Sequence, residues 1–217
     1  MPTADDYRRA LMIVATRAVN DSIRLAQEVG PAVITEAIPP VIGYYSDGTA
    51  ALAADQYDDL REAAEAPGAF RSEPVINIRD EQVRRGLIWS VEPLYLEVPD
   101  TLTASARLAE VVQLETARPF RDTILTNQQR DPASVGWKRN TSGESCKMCT
   151  MLADRGAVYQ QSTARFATHP GCDCSASAVF SSSAGPEANA LQYVASRRRK
   201  TPAQRQRLNA YLRSMPG

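Results

Sequence analysis

The sequence predicts a mainly α protein with a helical N-terminal body over 1–132, a small α+β module over 133–182 and a basic helical C-terminal tail over 183–217. Three observations carry this. Apolar residues recur at steps of three and four up to Asp131-Pro132. Beyond it the apolar runs shorten, and glycine, serine, threonine and cysteine dominate. The stretch 188–217 then holds 7 bases and no acid.

In the body, Leu11, Ala15, Ala18, Ser22, Leu25 and Val29 form one stripe of a helix over 5–29, which Gly30-Pro31 stops. A short helix over 31–38 should end at Pro39-Pro40, and Ser46-Asp47-Gly48 has the composition of a turn. Ala50, Ala53, Ala54, Tyr57, Leu60 and Ala64 then define a helix over 48–65, ended by Pro67-Gly68. Residues 79–90 carry Val83, Leu87 and Ile88 at helical spacing. The stretch 100–129 places Leu102, Ala106, Ala109, Val112 and Thr116 on one face, with Asp100 or Thr101 as cap. Pro119 should kink or divide it, since proline lacks the amide donor and crowds the preceding turn. Trp89, Trp137, Tyr44, Tyr45 and Tyr57 are expected as core anchors. After 133, short strands should surround a brief helix at 147–154. A linker over 181–186 should lead to tail helices over 187–199 and 202–214.

The totals exclude several classes. A chain of 217 residues with 43% apolar content can bury a core, and 23% charged residues balanced to zero net charge do not suit a protein that wraps nucleic acid over its whole surface. The balance hides a gradient, because residues 1–68 hold 11 acids and 5 bases. The two ends are therefore expected to face different partners. The N-terminus MPTADDYRR has no leader-like apolar run, and no stretch approaches the ~20 apolar residues of a membrane span. A cytosol-like compartment and no membrane partner are expected, and there four cysteines within 29 residues suit a metal better than disulfides.

The cysteines form Cys146-Lys-Met-Cys149, then 19 residues, then His169-Pro-Gly-Cys172-Asp-Cys174. Two residues between ligands let a tight turn bring both side chains to one ion. Two such pairs at this separation are the layout of a zinc knuckle. The five candidates exceed the four places of a tetrahedron. Spacing favours Cys146, Cys149, His169 and Cys172, with Cys174 able to replace His169 or Cys172. The surplus points to a closed, structural Zn2+ site rather than a catalytic one with an open position. A redox pair at Cys146 and Cys149 is the next alternative, but it lacks a flanking βαβ pattern.

His169 is the only histidine, so once it binds metal no histidine is left as base for a nuclease or a Ser-His-Asp protease. No G-x-x-x-x-G-K-[ST] run exists. The expectation is a non-enzyme. Glu144 and Asp173, beside the ligands, are expected to be solvated or to support them.

Gly136-Trp137-Lys138-Arg139, Ser145-Cys146 through Ala153, Gly156 through Tyr159, and His169 through Cys174 together resemble the C-terminal module of MuF-like phage head morphogenesis proteins, the minor capsid proteins of tailed bacteriophages. The actinobacteriophage versions are especially similar. The segment Tyr44 to Arg61 resembles part of their helical half, so the resemblance spans about 40–180. It implies a virion protein of the head interior or portal vertex, passing through the host cytoplasm during assembly. Its implied partners are the portal or major capsid protein, and some relatives are thought to contact packaged DNA. The chain has no room for the protease or toxin domains fused to some relatives. Asp173 stands where a basic residue is common in them. Arg197, Arg198, Arg199 and Lys200, with Arg205, Arg207 and Arg213, suit either DNA phosphates or an acidic capsid surface.

Overall fold

The computed structural model of the chain describes residues 2–143, 145–154, 156, 166, 169, 171–180, 202, 203, 206 and 210. Four helices build the body: α1 (Ala4–Val29), α2 (Ile34–Ala63), α3 (Asp80–Val91) and α4 (Thr101–Arg130). The module adds β1 (Gly136–Asn140), α5 (Lys147–Ala153) and β2 (Ser175–Val179). The fold is mainly helical, with one small sheet.

α1 follows its sequence signals closely. Thr3 accepts from the Asp6 amide while Asp6 accepts from the Thr3 amide, a capping box that satisfies two otherwise unpaired donors. Leu11, Ala15, Ala18 and Ser22 are buried as the stripe requires, and Gly30 stops the helix at φ +77°.

α2 departs from expectation. The predicted break at Pro39-Pro40 and turn at Ser46–Gly48 do not occur, and one helix of 30 residues runs through both. Ile34, Ile38, Ile42, Ser46, Thr49 and Ala53 are buried in one stripe that passes straight across the prolines. Pro40, Asp47 and Gly48 lie on the exposed side. Pro39 and Pro40 leave the carbonyls of Thr35 and Glu36 without their intrahelical amide partners. Apolar burial along the stripe outweighs the local propensities. Ahead of α2, Pro31–Val33 is a single 3-10 turn.

Pro119 likewise does not divide α4, which is continuous over Thr101–Arg130. Both flanks are buried, through Val112 and Thr116 on one side and Phe120 and Ile124 on the other. Thr49 of α2 donates to the Thr116 carbonyl at 2.7 Å, tying α2 to α4 in the turn before the proline. The apolar face is also rotated from the expected one. Ala104 and Leu108 point inward, while Leu102 is 81% exposed. Trp89 and Tyr44 are surface residues rather than core anchors, and the Arg107 guanidinium stacks 4.6 Å from the Trp89 ring centroid. In α3, Val83 and Leu87 are buried and Ile88 is exposed.

Between α2 and α3 the chain runs extended along α4 and is held by side chains instead of a strand partner. Asn127 accepts from the Glu73 amide at 2.9 Å and donates to its carbonyl at 2.8 Å. Thr123 accepts from the Val75 amide, and Ser72 donates to the Ala54 carbonyl.

β1 and β2 pair antiparallel, with Trp137 opposite Ala178 and Arg139 opposite Ala176. The sheet lies on the helices. Trp137, Ala176 and Ala178 share one apolar cluster with Tyr7 and Leu11 of α1, Tyr57 of α2 and Phe120 and Ile124 of α4. A second cluster joins Ile38 and Ile42 to Leu87 and Val112 at the other end of the bundle. The expected tail helices fall outside the described residues, apart from Pro202, Ala203, Gln206 and Ala210, which are helical and exposed.

Candidate metal centre

The sheet and α5 position the five predicted ligands. Cys146 is the N-cap of α5, and its sulfur accepts from the Cys149 amide at 3.4 Å. This places Cys149 one turn in and buried. On the opposing loop, Gly171 adopts φ +72°, and the Cys172 amide donates to the His169 carbonyl at 3.1 Å. That tight turn is the one expected between His169 and Cys172. Cys172 and Cys174 then lead into β2, both buried.

All five side chains converge. Cys149 lies at the centre, its sulfur 3.7 Å from His169 Nε2, 3.5 Å from Cys172 Sγ and 3.8 Å from Cys174 Sγ. Cys146 Sγ is 2.9 Å from His169 Nε2, and the Cys172 and Cys174 sulfurs are 2.6 Å apart. Tetrahedral zinc with Zn–S of ~2.3 Å has sulfur–sulfur edges of roughly 3.8 Å, so the separations of Cys149 from Cys172 and Cys174 are close to such edges, while Cys172 and Cys174 stand nearer to each other than one edge. The donors form two overlapping groups, Cys146/Cys149/His169 and Cys149/Cys172/Cys174, joined at Cys149. The set favoured by spacing is thus split between the two groups, while Cys174 sits as close as Cys172. The cluster can hold a metal ion.

Its electrostatics fit a cation. Four free sulfurs packed together cannot all ionise independently. Hydrogen bonds from Cys149 and Cys174 hold the Cys172 thiol far below its usual range, and the same contact with Cys172 drives Cys149 upward. At Cys146, burial works against ionisation, but bonds from the Cys149 amide and from His169 bring the thiol below its ordinary value. A divalent ion stabilises several thiolates at once and removes this competition.

Sequence reasoning missed the residues around the cluster. Arg139 is 5% exposed and places Nη1 2.7 Å from Cys174 Sγ. Arg121 of α4, also buried, donates to the Cys174 carbonyl through Nε and Nη2. Both guanidiniums lie over the Phe166 ring, at 3.9 Å for Arg139 and 5.2 Å for Arg121. The period of two in a strand could have found Arg139, because it puts that residue on the same buried side as Trp137, with Lys138 exposed. Nothing in the sequence marks Arg121.

Asp173 supports the centre rather than standing free in water. Ser145 Oγ donates to its Oδ1 at 2.7 Å, Ser142 Oγ donates to Oδ2, and Arg8 of α1 donates to Oδ2 at 3.3 Å. The loop between the last two cysteines is thereby tied to the first helix. Glu144 lies outside the described residues.

A helical bundle carrying a two-stranded sheet, with a Cys/His cluster on that sheet, defines a mainly helical protein with a candidate metal centre. The VG15 protein family model matches residues 2–197, nearly the whole chain, and the chain belongs to that family. No curated protein and no solved structure matches it. Among the described residues, no helix is long and apolar enough to cross a membrane.

Proposed function

We propose that this chain is a structural minor capsid protein of a tailed bacteriophage, a head morphogenesis component associated with the portal or inner head, whose Cys/His cluster holds a structural Zn2+. The two overlapping donor groups, Cys146/Cys149/His169 and Cys149/Cys172/Cys174, which meet at Cys149, carry the metal half of this reading. Membership over 2–197 in VG15, a family of viral genes, supports the virion half, together with the resemblance to MuF-like modules.

The centre acts by cross-linking. It joins α5 to the start of β2, and β2 lies in the same core as α1, α2 and α4. An ion here would fix the sheet against the bundle and need supply no chemistry. Elemental mass spectrometry of the purified chain tests the metal. About one zinc per chain is expected, lost in Cys149→Ala because that sulfur belongs to both donor groups. A metal-free protein with a fully folded module would overturn this half. Mass spectrometry of heads purified from the parent phage tests the virion role, with the chain expected among the low-copy components. Its absence from assembled heads would overturn that half.

The basic run Arg197–Lys200 favours a second reading, a DNA-binding protein that uses the knuckle and tail on packaged DNA. It requires affinity for duplex DNA that falls steeply with salt and weakens when 196–217 are removed.

A further inference from the structure

One cleft is lined by α1, α2, α3 and the first turns of α4. It has a volume of about 480 Å³, with Ile23, Ile34, Val91, Leu94, Ala104 and Leu108 in its wall. Between its wall residues Leu94 and Ala104 the chain exposes Tyr95, Leu96, Val98 and Leu102, of which Val98 is 80% exposed. Contiguous exposed apolar area of this kind marks a surface made to be covered. Its margin is acidic. Glu97 and Asp100 are exposed on the stretch that joins its wall residues Leu94 and Thr101. Arg107, one residue before the wall residue Leu108, is already engaged with Glu92 and the Trp89 ring.

The chain itself contains a complementary segment. Leu208, Tyr211, Leu212 and Met215 recur at i, i+3, i+4 and i+7, flanked by Arg205 and Arg207. On a helical period those four positions fall opposite Pro202, Ala203, Gln206 and Ala210, the described residues of this segment, which are helical and exposed. We propose that the acid-rimmed cleft at the end of the bundle is the docking site of the chain's own basic amphipathic segment 202–215. Its apolar stripe fills the cleft and its arginines meet the acidic margin.

Chain length permits this within one molecule. The 22 steps from Phe180 to Pro202 reach roughly 70 Å when extended. The distance along α4 from Ile124, beneath the sheet, to Leu108 at the cleft is only about 24 Å. This inference does not depend on the metal or on the virion role.

Hydrogen exchange of the full-length chain tests it, comparing wild type with the double variant Leu208→Asp/Leu212→Asp. Amides over 23–34 and 90–108 should exchange about tenfold faster in the variant, while those over 117–124, under the sheet, stay unchanged. The rim variant Glu97→Lys, altered only at an exposed position, should speed the same amides, and raising salt should do so in wild type. Equal exchange in wild type and both variants would overturn the proposal. A concentration-dependent dimer abolished by Leu208→Asp/Leu212→Asp would also overturn it, placing a second copy in the cleft instead.

Discussion

Replacing Asp131 by alanine removes a carboxylate whose side chain is fully buried at the junction of bundle and sheet. One oxygen accepts from Arg61 Nε at 2.9 Å and from the Tyr57 hydroxyl at 3.3 Å, and the other accepts from the Ala133 amide at 3.0 Å. The loss leaves the Arg61 guanidinium, itself largely buried, without its anionic partner. Breaking such a pair from one side costs about 3–5 kcal/mol, because an uncompensated charge stays out of water. At about 2–4 °C per kcal/mol for a chain of this size, the melting temperature should fall by roughly 10 °C. Scanning calorimetry together with urea unfolding would measure both quantities. Asp131→Asn keeps the shape and an acceptor for Ala133, so it should cost less. The double change Arg61→Met/Asp131→Leu removes both charges and should recover most of the loss. If Asp131→Ala stays within about 1 kcal/mol of wild type, the pair does not hold the junction and the reasoning fails.

Three further outcomes follow from the same geometry. A Cβ at Gly86 would lie 2.9 Å from Cγ2 of Val111, a stiff β-branched neighbour, so Gly86→Ala should lose about 1 kcal/mol in denaturant unfolding despite alanine's better helix propensity. Adding Val111→Ala should turn that loss into a gain. Asn127→Ala should cost about 2–3 kcal/mol and speed exchange of the Glu73 and Val75 amides, since one buried side chain bonds both the Glu73 backbone and the Thr123 carbonyl. Bonds from the Thr3 side chain and amide hold the Asp6 carboxyl down to about 2, below its ordinary 3.8. The stabilisation it gives is therefore complete above pH 4 and lost as pH falls through about 2. NMR titration should show the first turn of α1 fraying in that window in wild type and not in Thr3→Ala.

Local and short-range signals were legible in the sequence. The stripe of α1, its glycine stop, the short helix at the first cysteine pair and the turn at Gly171 all depend on residues within a few positions of each other. So does the pairing of donors within each half of the site, because Cys-x-x-Cys and His-x-x-Cys spacings bring them together through single turns, whereas the meeting of the two halves rests on α5 and the sheet. What paired with what was not legible. Pro39-Pro40, Gly48 and Pro119 are local breakers, yet they sit inside continuous helices. The buried stripe of Ile34, Ile38 and Ile42, and the hydroxyl of Thr49 on the Thr116 carbonyl, outweigh them only once α2 and α4 are packed.

The sequence by itself determined the class of this protein: a helical body joined to a small module whose cysteines and histidine can bind one ion. Periodicity and ligand spacing are properties of the chain before it folds. The tertiary structure decided which faces turn inward, so that Trp137 is core and Trp89 surface, and which arginines surround the sulfurs. Arg8, Arg121 and Arg139 are far apart in sequence, and no local pattern links them. Only the packing of α1, α4 and β1 around one cluster brings their charges to Asp173 and Cys174.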